Sequence, residues 1–62
     1  SRSSNKEFGR FLEFSLGSAF EMETQVLLAR DFEYVSIEKS ETILKEIAEV
    51  QKMILGFKNN LN

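Results

Sequence analysis

The sequence predicts an all-α protein: an antiparallel helical hairpin that is half of an up-down four-helix bundle. Three observations carry this expectation. No Pro occurs in the 62 residues, so nothing in the chain forces a helix to break. Apolar residues recur at helical spacing over about residues 4–31, on more sides of that helix than one neighbour covers. Between Ile43 and Leu61 they recur at 4-3-4-3-4 spacing, which is an a/d seam.

A hairpin of this size is short of core. Chains below roughly 70–80 residues rarely stabilise themselves without disulfides, a metal or oligomerisation. Cys and His are both absent, which excludes a disulfide framework and a thiolate or imidazole metal site. Oligomerisation is left, or a longer chain of which this is a piece. The sequence does not open on Met, so either its start was processed or it is a fragment; a fragment of a longer four-helix bundle is expected.

In chain order, Ser1 to Asn5 is polar and linker-like, and Ser4 followed by Glu7 fits a capping box. The first helix is therefore expected from about residue 4 to 31. At 100° per residue, Phe8, Phe11, Leu12, Ser15, Ala19, Met22, Val26 and Ala29 share one side, with Leu16 and Leu27 on its flank. Phe14, Leu28 and Phe32 lie nearly opposite, with Phe20 to one side. Two readings of these four are open: a second packing surface, or scattered surface apolars of the ordinary kind. Burying a Phe or Leu is worth roughly 1.5–3 kcal/mol, which favours the surface. Gly17-Ser18-Ala19 is a run of small residues in mid-helix, most useful where another backbone comes close, since Gly costs about 1 kcal/mol against Ala there. Gly9 carries the same cost without an evident reason.

A turn is expected at about residues 32–35, although Phe32-Glu33-Tyr34-Val35 holds no Gly for a left-handed cap. Ser36 is a good N-cap, with Glu38 favourably placed in the first turn. The second helix, about residues 36–59, presents Ile43, Ile47, Val50, Ile54, Phe57 and Leu61 as its seam. A short connection makes the two helices antiparallel neighbours.

The sequence offers little chemistry. The 8 basic and 10 acidic residues give a net charge of −2, with no basic arm or acidic tail and no footprint for nucleic acid. No apolar run approaches the roughly 20 residues of a membrane span. No targeting pattern opens the chain, so cytoplasmic is the default location. Glu21 and Glu23 point about 200° apart on a helix and cannot share a proton or a metal. Without His there is no Glu-x-x-His motif and no base for a Ser nucleophile. No enzyme, cofactor or small-molecule substrate is expected. Glu23 falls inside the apolar arc, and a buried carboxylate needs a cation or several donors. It is either a boundary Glu reaching water or the partner of an Arg or Lys on another helix.

The segments Glu7-Phe8-x-Arg10-Phe11-Leu12, Leu16-Gly17-Ser18-Ala19, Glu21-x-Glu23-Thr24-Gln25, Ala29-Arg30 and Tyr34-Val35 resemble the second half of the 23S rRNA intervening-sequence protein family. These are small bacterial four-helix-bundle proteins, related to the accessory variability protein of diversity-generating retroelements. The likeness is strongest from Ser4 to Val35 and is only a heptad pattern over the last helix. It implies that this chain corresponds to the family's third and fourth helices, with Arg2 to Lys6 matching the linker ahead of them. The family's first two helices, with their Ile-Pro-x-Asn-Ile-Ala-Glu-Gly-like signature, have no counterpart. Such proteins typically form pentamers, and the family's glutamates, matched by Glu21 and Glu23, would face basic residues on the absent helices. Glu33 stands where the family usually has Gly before the Tyr. The family is encoded within insertions in rRNA genes. RNA or a reverse transcriptase enters as a partner by this resemblance alone, and no enzymatic activity is implied.

Two functions follow as expectations. The first is a non-enzymatic module that self-associates, or pairs with its missing half, through Phe14, Phe20, Leu28 and Phe32. The second is a nucleic-acid-binding module acting as an oligomer, with Arg2, Lys6 and Arg10 at the entry of the first helix as contacts. For those three, a solvated basic edge is the competing account.

Overall fold

The computed structural model describes the backbone of residues 2–61 and the side chains of residues 4–61. It contains two helices, α1 (Arg2–Asp31) and α2 (Ile37–Asn59), packed antiparallel on each other. Their Cα atoms span 47 × 14 × 10 Å. The long dimension is the length of α1 at about 1.5 Å per residue, and the short ones leave room for a single layer. Stable domains bury each apolar face against a second layer; here each helix has one neighbour.

α1 begins at Arg2, ahead of the Ser4–Glu7 capping box, which lies within the helix. No Gly or Pro stands before Gly9 to halt it. Its exit supplies what the sequence did not signal. Glu33 adopts φ 64°, the left-handed conformation, among described residues that otherwise keep negative φ. Tyr34 N–H then donates to the Ala29 carbonyl at 2.8 Å and Glu33 N–H to the Arg30 carbonyl at 3.0 Å. These are the two bonds of a Schellman motif, with Glu in the position that Gly normally fills. α2 starts cleanly: the Ser36 hydroxyl accepts from Lys39 N–H at 3.0 Å, and Glu38 occupies the first turn.

The contact line between the helices differs from the expected seam. The residues facing α1 are Ser40, Leu44, Ile47, Gln51, Ile54 and Lys58 on α2 and Leu61 just beyond its end; Ser40, Ile47 and Ile54 are buried and the others half-buried. Ile43, Val50 and Phe57, expected in the seam, are exposed at 37%, 44% and 52%. On α1 the line runs through Leu12, Leu16, Ala19, Glu23, Val26 and Arg30, while Phe8, Phe11 and Met22 are exposed. The apolar stripe on each helix is wider than one partner can cover. The hairpin takes one edge of both stripes, where small Ala19 and Ser40 permit close approach.

Candidate functional site

That choice of edge leaves an open apolar groove along one side of the hairpin. Its floor and walls are Ser15, Ser18, Ala19 and Met22 from α1 with Ile43, Glu46, Ile47, Val50 and Ile54 from α2, enclosing about 480 Å³. The Ser15 hydroxyl donates back to the Phe11 carbonyl at 3.0 Å, so it is satisfied within its own helix and Ser15 can abut apolar groups. Glu46 is the one charge among these lining residues. Among the described residues no group of three or more Asp, Glu, His or Cys side chains could hold a metal.

The polar contacts lie along the seam. Gln51 Nε2 donates to Glu23 Oε1 at 3.4 Å, a long bond between half-buried side chains. The group that Glu23 meets within the hairpin is thus an amide; the sequence reading left open a boundary Glu reaching water or the partner of an Arg or Lys on another helix. Glu21 is exposed and turned away, so the two glutamates are not brought together. Lys58 Nζ lies 3.4 Å from Glu13 Oε1, with both side chains substantially solvated; such a pair contributes about 0–1 kcal/mol. The Ser40 hydroxyl, completely buried, donates to the Ile37 carbonyl at 2.7 Å.

The expected interaction residues are all exposed: Phe14 at 72%, Phe32 at 67%, and Phe20 and Leu28 at 50%. They do not form one patch. Phe14 stands about 21 Å along α1 from Leu28 at 1.5 Å per residue, and Phe20 points to the flank opposite the groove. Phe32 instead meets Tyr34 beyond the helix end, ring centroids 6.1 Å apart. Of the basic trio, the side chain of Arg2 lies outside the described residues, and Lys6 and Arg10 are exposed. Their stretch of helix also carries Glu7 and Glu13, which dilutes a positive patch there.

Sequence reasoning missed the groove because it assigned Met22, Ile43 and Val50 to the hairpin core. The second spacing on α2, Ser40-Leu44-Ile47-Gln51-Ile54-Lys58-Leu61, is as regular as the first. It shares Ile47, Ile54 and Leu61 with the first, so residue type pointed to the more apolar of the two.

A family model described as 23S rRNA-intervening sequence protein matches residues 1–56 of the chain. No curated protein and no solved structure matches it.

Proposed function

The chain belongs to the 23S rRNA-intervening sequence protein family, and from that premise and its uncovered surface we propose that it is a non-enzymatic helical self-association module. The observation that carries this reading is area. The hairpin exposes 5216 Å². A folded monomer of its 7.2 kDa exposes about 4,100 Å², so it carries about 1,100 Å² more than its mass warrants. Much of that surface is apolar: fourteen large apolar side chains are exposed among the described residues, against Leu12, Ile47 and Ile54 buried. No disulfide makes up the missing core, and association with further helices is the means that this reading assigns to it.

In this reading the chain supplies the helices that correspond to the family's third and fourth, and association completes a four-helix bundle. The relation to the accessory variability protein of retroelements, and RNA or a reverse transcriptase as a further partner, belong to the same proposal and rest on resemblance. No helix among the described residues is long and apolar enough to cross a membrane. Sedimentation equilibrium from about 1 to 100 μM tests the reading: oligomer is expected, growing with concentration by mass action where the dissociation constant lies within that range. A folded, stable monomer throughout is the result that defeats it.

A further inference from the structure

The chain holds two sulfur atoms, those of Met22 and Met53, and no thiol. Both methionines are open to solvent to a similar degree, at 52% and 57%. They differ in place. Met22 lines the groove, where its neighbours from α1 are Ser15, Ser18 and Ala19, so its thioether is the longest group that α1 offers to a covering layer. Met53 is not among the lining residues. An unbranched thioether suits an apolar contact of irregular shape, and peroxide converts it to a polar, chiral sulfoxide. The groove has little with which to receive a sulfoxide oxygen. The Ser15 hydroxyl already donates to the Phe11 carbonyl at 3.0 Å, and an ionised Glu46 only accepts. Ser18 is exposed, so a bond to it draws the oxygen toward water and not under a covering layer.

We propose that Met22 is a peroxide-sensitive switch on association: its thioether packs under the layer that covers the groove, and its sulfoxide keeps the groove open. In the chemical step a lone pair of the Met22 sulfur takes one oxygen of hydrogen peroxide. The O–O bond breaks and the second oxygen leaves as water, so that sulfur loses the two electrons that the peroxide gains. Two thiols acting through a sulfoxide reductase restore the thioether, with a disulfide and water as products. Access makes the switch one-sided. In the open hairpin peroxide meets Met22 and Met53 alike, whereas a covering layer shuts Met22 away. Oxidation therefore captures the unassociated chain, and association of that chain must then bury a sulfoxide without a matching donor.

This inference rests on the self-association reading, and the test separates them. Met53→Leu leaves Met22 as the only sulfur, and Met22→Leu leaves Met53; Leu and Met are close in volume. Each variant is treated with hydrogen peroxide until mass spectrometry shows full conversion, then compared with its own untreated form by sedimentation equilibrium. Oxidation of Met53→Leu is expected to weaken association at least tenfold with helix content kept, and a sulfoxide reductase to restore it. Oxidation of Met22→Leu is expected to change association less than about twofold. Equal effects, the reverse order, or loss of helix content in oxidised Met53→Leu each overturn the switch and leave self-association standing. Oxidation rates in the unaltered chain supply the second measurement, read by peptide mapping. In concentrated solution Met22 is expected to oxidise at least threefold more slowly than Met53, and on dilution the two rates converge; equal rates at every concentration overturn the proposal. A chain that is monomeric before any treatment sinks both readings.

Discussion

Replacing Glu33 by Gly is expected to stabilise the hairpin, and the expected size follows from the backbone. Glu33 holds φ 64°, a conformation that costs a non-glycine residue about 1–2 kcal/mol because its Cβ crowds the neighbouring carbonyl. The fold keeps it there because Tyr34 N–H and Glu33 N–H can then satisfy two carbonyls at the end of α1. Gly removes the crowding but starts from a freer unfolded chain, which returns about 0.5–1 kcal/mol. The net expectation is a gain of about 0.5–1 kcal/mol, or about 3–6 °C in Tm for a domain of this size. The assay is thermal unfolding by circular dichroism at one fixed protein concentration, because association shifts Tm by mass action. Glu33→Ala is the control: it deletes the carboxylate and keeps the strain, so it should show no comparable gain. Equal melting of Glu33→Gly and Glu33→Ala would refute the reasoning, since the charge and not the backbone would then be responsible.

Further outcomes follow from single contacts. Gln51→Glu sets two half-buried carboxylates against each other where an amide now donates to Glu23, and should cost about 1–2 kcal/mol in chemical denaturation at pH 7; an unchanged midpoint would mean that Glu23 is effectively in water. Gly17→Ala places a methyl where nothing lies within 4 Å and should gain about 0.5–1 kcal/mol by helix propensity. A loss of association in that variant would instead reveal a helix packed against Gly17. Ser36→Ala removes the acceptor of Lys39 N–H and should cost about 1 kcal/mol, read from the same denaturation curves.

The two helices and the start of the second were legible because they rest on local chemistry. Ser36 reads as an N-cap in any context, and the absence of Pro permits long helices without help from packing. The exit from α1 was not legible from its own residues. The Schellman bonds are made by backbone groups, and Glu33 carries no side-chain signal for positive φ; the only hint was the Gly that the resembling family has at this place. Gly17 was expected where a backbone comes close, yet within the hairpin it faces open space. Gly9 gains a neighbour that the sequence could not name, Leu61 from the far end of the chain.

The seam shows most clearly why residue type alone misleads in a half-covered fold. A helix with one neighbour places the centre of its apolar stripe on the contact line. A helix with two neighbours, as in a square bundle, places that centre between them, about 45° from each. Here the contact line on α2 passes through Gln51 and Lys58, while Ile43, Val50 and Phe57 stand one position back along the chain, to one side. On α1 the line passes through Glu23, while Ser15 and Met22 stand off to the side that faces the same groove. Both stripes are thus displaced in the same sense. If a wide stripe were mere surplus hydrophobicity, the two displacements would be independent, and opposite senses would occur as often as the same one. A shared sense is what a second layer on that side demands of both helices together. The polar residues in the line agree with this: Gln51 donates to Glu23 across the hairpin, and Glu46 is the one charge among the residues lining the groove side.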